Sequence, residues 1–187
     1  MLIAVTGSVN SGKTSAIERA ASQVGSQANL AGVISKKRMT DGELAGYQAV
    51  CLPKGVEHEF ARLRNSTDSA VNQEKVSLPG YEAYCRFWIN SLTVKKMSTY
   101  LLQNMEADIL VLDEVGALEL AGRGWAKVLP RLSERAKPII LGVRKQFLAD
   151  ILQFFETEAA LVDMDAQTQD SGAQAILQAL NPSLRGR

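Results

Sequence analysis

A glycine-bounded run near the amino terminus has the residue types and spacing of a phosphate-binding loop. It matches the pattern G-x-x-x-x-G-K-[ST] at every fixed position. Its glycines allow successive backbone N–H groups to turn towards an anion, and the positive end of the following helix points at the same place. Lys13 can reach the β- and γ-phosphates of a nucleotide, and the Thr14 hydroxyl can ligate Mg²⁺. We therefore predict a nucleotide site formed by Gly7, Ser8, Val9, Asn10, Ser11, Gly12, Lys13, Thr14 and Ser15.

Two adjacent carboxylates, Asp113 and Glu114, follow the apolar run at residues 109–112. An uninterrupted apolar run is typical of a strand that is buried on both faces of a parallel sheet. At the carboxyl end of such a strand, Asp113 would lie beside the phosphate loop and hold the Mg²⁺ shell. Glu114 would point in a different direction and could orient or deprotonate an attacking water. We therefore predict Mg²⁺ as cofactor, Thr14 and Asp113 as its ligands, and Lys13 and Glu114 as catalytic residues.

Transition-state charge on a transferred phosphoryl group is often stabilised by an arginine, and the sequence offers two candidates. Arg38 is the last residue of a predicted strand at residues 32–38, and Arg144 follows another at residues 139–143. Either side chain could face the site or be a solvated surface arginine. Glu119 could ligate through water, orient a neighbour or have a structural role.

The hydrophobic pattern predicts strands that alternate with helices, which favours an α/β fold with a mostly parallel sheet. Asp41 and Gly42 lie between two adjacent strands and predict an antiparallel hairpin there. Predicted strands are residues 2–6, 32–38, 43–52, 75–78, 109–112, 139–143 and 159–162. Helices are predicted after the phosphate loop, from Asn90, around residues 125–132 and 147–155, and from about Ser171 to a point before Asn181. Residues 53–68 are polar and poorly periodic, which predicts mainly a loop.

The aromatic residues Tyr84, Phe87 and Trp88 could stack on a base, but such clusters are more commonly part of a core.

The composition favours one domain over residues 1–187, since 46% of the residues are hydrophobic. Lys and Arg number 21 against 20 Asp and Glu, a balance that gives no electrostatic reason to expect a nucleic-acid or membrane partner. The two cysteines, 34 residues apart, have neither disulfide-scaffold nor zinc-ribbon spacing, and one histidine makes a Ser-His-Asp hydrolase a poor fit. The short apolar start and the lack of a long apolar run favour a cytoplasmic protein.

Three segments together resemble the cancer-related nucleoside-triphosphatase family, which has archaeal, bacterial and animal members. They are the phosphate loop, the stretch at residues 32–38 with Gly42, Gly46 and Tyr47, and the run at residues 113–120. The last is the specific element, because Asp113 to Glu119 matches the family's run of Asp, Glu, a hydrophobic residue, Gly, any residue, a hydrophobic residue and Glu. The resemblance covers about residues 1–155. It implies a three-layer, RecA-like P-loop NTPase fold and Mg²⁺-dependent hydrolysis of nucleoside triphosphates, slow and with broad base tolerance.

Two other functions share the phosphate loop. A small-molecule or nucleotide kinase would transfer the γ-phosphate to a substrate hydroxyl, although Glu114 beside Asp113 favours water as the acceptor. A nucleotide-dependent switch or adaptor would use slow hydrolysis to time contact with a protein partner, whose identity the sequence does not indicate. The sequence has no guanine-reading N-K-x-D motif, which argues against a Ras-like GTPase but not against an ATP-dependent switch.

Overall fold

One mixed β-sheet organises the part of the chain that the computed structural model describes, which is residues 1–25, 27–64, 78–155 and 158–184. Its strands are β1 (Leu2–Gly7), β2 (Leu30–Thr40), β3 (Glu43–Leu52), β4 (Val56–Leu63), β5 (Tyr81–Tyr84), β6 (Phe87–Asn90), β7 (Ile109–Val115), β8 (Ile139–Arg144) and β9 (Ala159–Asp163). Across the sheet they lie in the order β5-β6-β4-β3-β2-β7-β8-β1-β9. The half from β2 to β9 pairs in parallel, and the half from β5 to β2 pairs antiparallel. Strand β8 lies between β1 and β7, so the carboxyl ends of these three strands are side by side.

Helices cover both faces of the parallel half. They are α1 (Lys13–Val24), α2 (Ser91–Gln103), α3 (Ala117–Leu120), α4 (Leu129–Ser133), α5 (Leu148–Leu152) and α6 (Gln169–Leu184), with 3₁₀ turns at Lys145–Phe147 and Met164–Ala166. The Asn90 side chain accepts hydrogen bonds from Leu92 N at 3.1 Å and Thr93 N at 3.0 Å, which caps α2 where the sequence predicts. No helix among the described residues has the length and apolar character that a bilayer crossing requires.

The core is divided between the two faces of the sheet because successive strand side chains point in opposite directions. In β1, Leu2 joins the cluster that includes Met97 and Leu101 of α2, whereas Ile3 joins the cluster that α1 and α6 cover. The apolar stripe of α1, with Ile17 at its centre, is fully buried in that second cluster. This arrangement confirms the predicted α/β layers and the antiparallel addition.

Most of the predicted strands are confirmed, and so is the hairpin turn, where Asp41 and Gly42 have φ of 51° and 81°. The predicted loop at residues 53–68 is wrong between Val56 and Leu63, which form β4, and the β5–β6 hairpin was not predicted. Strand β4 is half exposed and carries charged residues, so its alternation is weak, and it is stabilised by pairing with β3 and β6. The predicted strand at residues 75–78 lies almost wholly outside the described residues.

Three helix boundaries also differ from the prediction. Helix α6 continues through Asn181 to Leu184, because a proline in the last turn removes only one intrahelical hydrogen bond there. Residues 125–128 form turns, so the helix near Pro130 is limited to α4, which has this proline in its first turn. The apolar stripe of residues 147–155 is helical only from Leu148 to Leu152, after a 3₁₀ turn.

Candidate active site

The loop between β1 and α1 has the backbone conformation that a phosphate cradle requires. Asn10 and Gly12 have φ of 67° and 91°, in the left-handed region that Asn and Gly tolerate best. Helix α1 begins immediately afterwards at Lys13, so its free N–H groups and the positive end of its dipole face the loop. A Cβ on Gly7 would lie 2.6 Å from Ser11 Oγ, so the close approach of the loop to the end of β1 requires glycine.

The Lys13 side chain lies inside this loop. Its Nζ donates to Ser8 O at 2.7 Å, to Gly7 O at 3.1 Å and to Ser11 Oγ at 3.3 Å. The side chain is buried, and burial lowers the pKa of its ammonium group, an effect that the nearby carboxylates of Glu114 and Asp113 oppose. A cation whose partners are neutral oxygen atoms is available to a polyanion that enters the loop.

Thr14 and Asp113 are in direct contact, although they are 99 residues apart. Thr14 Oγ1 donates to Asp113 Oδ2 at 2.5 Å, which joins the first turn of α1 to the carboxyl end of β7. Asp113 is buried, and its Oδ1 has no hydrogen-bond partner among the described residues. An orphaned carboxylate oxygen beside a hydroxyl is a hard oxygen donor set, which fits Mg²⁺ bound by two protein groups together with substrate phosphates.

The space for this carboxylate comes from a glycine on the neighbouring strand. A Cβ on Gly142 of β8 would lie 1.9 Å from Asp113 Oδ1. Burial and the carboxylate of Glu114 raise the pKa of Asp113 to about 6. The ionised form of Asp113 is therefore unfavourable in free energy until a cation binds beside it.

Glu114 leaves the strand path and faces the carboxyl end of β8. Its φ of 56° is unusual for a residue with a side chain, and the β7–β8 register breaks between Leu112 and Val115 at this point. Arg144, the last residue of β8, lies with its Nη2 and Nε 3.2 and 3.3 Å from Glu114 Oε2. The strained backbone thus directs the second carboxylate to the same edge of the sheet as the phosphate loop.

Arg38, the other candidate arginine, faces a different group. Its Nη1 lies 3.4 Å from Glu59 Oε2 on β4, whereas Arg144 contacts Glu114. The structure therefore places Arg144 beside Glu114 and Arg38 outside the cluster.

Two residues near the loop were not singled out from the sequence. Lys37 Nζ donates to Asn10 Oδ1 at 2.5 Å from β2, and Asp165 accepts from Ser8 N at 2.7 Å and from Ser8 Oγ at 3.1 Å. The lysine run 36–37 before Arg38 was the available signal for Lys37. Asp165 lies 157 residues from its partner, so no local pattern could indicate its contact.

Glu119 stabilises the turn that follows Glu114. Its Oε2 accepts from Gly116 N at 2.8 Å, and its Oε1 accepts from Trp125 N at 3.0 Å. Burial raises the pKa of its carboxyl to about 7, although these hydrogen bonds act in the opposite direction. The contacts indicate that Glu119 positions the chain after the catalytic candidates.

A cavity of about 390 Å³ opens over the phosphate loop, and we call it the nucleotide cavity. It is lined by residues 10–15, Glu18, residues 35–37, Tyr47, Glu114 and Gln169. Its volume suits a small ligand, and it joins most of the predicted nucleotide-site residues to Glu114. Of the predicted aromatic cluster, Trp88 is buried, whereas Tyr84 and Phe87 are half-buried outside this cavity.

The family model described as NTPase matches residues 2–177. Curated proteins named nucleoside-triphosphatase THEP1 are similar to this chain. The protein of Thermococcus kodakarensis is 25% identical over 149 residues, covering 78% of this chain and 77% of the relative. The protein of Methanosarcina barkeri is 20% identical over 171 residues, covering 90% of each.

Two solved structures share the fold. A human cancer-related nucleoside triphosphatase has a TM-score of 0.72 at 17% identity, covering 97% of each chain. THEP1 from Aquifex aeolicus has a TM-score of 0.69 at 14% identity, covering 96% of this chain and 99% of that one. These likenesses confirm the predicted P-loop NTPase architecture.

Proposed function

Because the chain belongs to the NTPase family, whose model matches residues 2–177, we propose that it hydrolyses nucleoside triphosphates to diphosphates and phosphate. The single observation that carries the proposal is the cluster in which Lys13, Thr14, Asp113 and Glu114 meet at the ends of β1 and β7. Relatives named nucleoside-triphosphatase support the same reaction. We propose that residues 1–187 act as one domain, and a cytoplasmic location stays a prediction.

The phosphate chain binds in the loop of residues 7–15. Backbone N–H groups and the start of α1 attract the phosphate oxygens, and Lys13 exchanges its loop oxygen partners for the β- and γ-phosphates. Lys37, which contacts Asn10 at the rim, adds a second positive charge on the β2 side. These cations offset the negative charge of the triphosphate.

Thr14 and Asp113 are the residues that would hold Mg²⁺. When bound, the ion neutralises charge on the β- and γ-phosphates and on the leaving diphosphate. The Thr14 hydroxyl donates its hydrogen to Asp113, so its lone pairs are free and it could ligate the ion without losing that contact. Asp113 contributes the orphaned oxygen, whose burial keeps it oriented.

Glu114 accepts a proton from the attacking water. Its carboxylate is held by Arg144, so it is oriented before substrate binds. The same arginine lines the adjoining space beside Glu114, from which it would also stabilise charge on the transferred group. One residue pair therefore positions both the water and the phosphoryl oxygens.

Broad base preference follows from the polar, open end of the nucleotide cavity. Phosphates bound over Lys13 and Thr14 direct the nucleoside towards Ser15, Glu18 and Gln169. Tyr47 lines this cavity from β3, whereas these three residues lie on α1 and α6 and carry no ring that could stack on a base. We therefore expect weak discrimination among bases, and we also expect slow turnover.

The test is phosphate release from ATP, GTP, CTP and UTP with Mg²⁺ and, as control, with EDTA. We expect metal-dependent release from several of these nucleotides. Lys13→Ala should lower the rate by roughly 10²-fold or more, whereas Lys95→Ala, at an exposed position of α2, should leave it unchanged. Tight nucleotide binding without release, or normal activity of Lys13→Ala, would contradict the proposed function.

A further inference from the structure

A second cavity, of about 430 Å³, adjoins the nucleotide cavity on the side of Glu114. Five aromatic side chains line it, and we therefore call it the aromatic cavity. They are Tyr47, Phe60, Tyr84, Phe87 and Phe147, and Ala117, Arg86 and Glu119 are among its other lining residues. Ser35, Tyr47 and Glu114 line both cavities. The proposed hydrolysis uses only the polar border of this space and leaves its aromatic part without a role.

The aromatic walls are held in place by contacts of their own. Tyr47 and Phe87 meet edge to face with ring centroids 5.5 Å apart, and Phe60 stacks on Trp125 at 5.3 Å. Tyr84 Oη donates to Ala117 O at 2.9 Å, which joins the β5–β6 hairpin to α3. A half-buried apolar space with fixed rings is characteristic of a small-molecule site.

The polar border determines the chemical class of the ligand. Arg144 and Glu114 form an ion pair there, and the γ-phosphate of a bound nucleotide would lie close to both. Arg86 and Glu119 also line the cavity, so its two arginines and two glutamates balance in formal charge and do not favour an ionic ligand of either sign. The phosphate of a bound nucleotide would in addition repel an anionic group. A neutral hydroxyl can donate to the Glu114 carboxylate without carrying a charge.

We propose that the aromatic cavity binds a small, neutral aromatic alcohol whose ring lies among Tyr47, Tyr84 and Phe87 and whose hydroxyl reaches Glu114. The ligand is separate from the nucleoside, because the phosphate chain directs the base to the opposite end, near Ser15 and Gln169. Its hydroxyl donates to the Glu114 carboxylate and so competes with the attacking water for that base.

Binding is tested on the full chain by saturation-transfer NMR with 2-phenylethanol. The matched probe is 2-cyclohexylethanol, which has the same chain and hydroxyl but no aromatic ring. We expect a dissociation constant on the order of 1 mM for 2-phenylethanol, as is usual for a ligand of this size. Aromatic contacts should favour it by roughly 2- to 10-fold over the saturated probe. Equal affinities, or no saturable binding, would overturn the proposal.

Two variants locate the site. Ala117→Leu adds side-chain volume to the cavity and should weaken 2-phenylethanol binding by roughly 10-fold or more. Phe87→Leu keeps an apolar wall but removes the ring, so it should reduce the preference for the aromatic probe. The matched control Ala160→Leu, exposed on the edge strand β9, should change neither. Unchanged binding in both cavity variants would contradict the proposal.

The kinetic consequence rests on the proposed function, whereas probe binding is measured without turnover. With Mg²⁺-ATP, 2-phenylethanol should lower kcat for phosphate release and leave KM unchanged, because it displaces the water and not the nucleotide. A raised KM with constant kcat, or displacement of the probe by adenosine, would show that the probe binds in the nucleotide cavity and would overturn the proposal. A chain that binds the probe in the aromatic cavity but releases no phosphate would support this site and contradict hydrolysis.

Discussion

Glu119 makes the stability of the protein depend on pH in a direction that can be calculated. Its buried carboxyl has a pKa of about 7 in the folded chain, against an ordinary value of 4.5. Because folding raises this pKa, folding favours the protonated form. The stability gained in this way is complete below pH 4.5 and is lost as the pH rises through about 7. Between pH 5 and pH 8 the loss amounts to about 2.5 kcal/mol in the free energy of unfolding.

The substitution Glu119→Gln isolates this effect. Glutamine cannot ionise, and its amide can accept only one of the two N–H groups, of Gly116 and Trp125, that the carboxyl accepts. The variant should therefore be less stable than the wild type at pH 5. The difference should shrink by about 2.5 kcal/mol at pH 8, where the wild type holds a buried charge.

Urea unfolding at pH 5, 6, 7 and 8 measures this difference directly. Glu43→Gln, at the exposed first residue of β3, is the control and should follow the wild type throughout. If the gap between wild type and Glu119→Gln stays constant within about 0.5 kcal/mol, the carboxyl does not titrate as its burial requires. A gap that widens with pH would mean that the two backbone hydrogen bonds outweigh the desolvation of the charge.

Three further predictions concern turnover. Glu114→Gln should keep nucleotide binding and lower kcat by roughly 10²-fold or more, and an unchanged kcat in phosphate-release assays would remove Glu114 as the base. Gly142→Ala should abolish Mg²⁺-dependent turnover and cost about 1–3 kcal/mol in urea unfolding, because its Cβ would lie 1.9 Å from a buried aspartate oxygen. The control Gly25→Ala should change neither turnover nor the free energy of unfolding, because its Cβ would make only ordinary van der Waals contacts. Arg144→Ala should reduce kcat by at least roughly 10-fold, while Arg38→Ala should change it little; the reverse order would move the transition-state cation to Arg38.

The parts of the fold that the sequence predicts well are those where local chemistry decides the structure. The phosphate loop needs particular residues at fixed spacing, and β7 begins with an apolar run that two carboxylates follow. The hairpin at Asp41 depends on two residues that tolerate positive φ, as observed. In each case the residues that determine the local structure are neighbours in the sequence.

The parts that the sequence does not predict depend on distant partners. Strand β4 carries charged residues and is stabilised by β3 on one side and by β6, more than twenty residues later, on the other. Its strand character comes from pairing and not from its own pattern. The contact of Asp165 with Ser8 also has no local signal, because it depends on where β9 ends relative to β1.

The two arginine candidates show what strand order adds to a sequence motif. Arg38 and Arg144 both lie at the carboxyl ends of predicted strands, so local pattern cannot rank them. In the sheet, β8 lies between the strand that leads into the phosphate loop and the strand that carries Asp113, and its last residue is Arg144. Strand β2 is one position further out and continues past the sheet edge where β7 ends, so Arg38 meets Glu59 of β4 instead. The order of β7, β8 and β1 therefore brings the base, the cation and the phosphate cradle together, and it makes Arg144 the arginine whose removal should affect kcat.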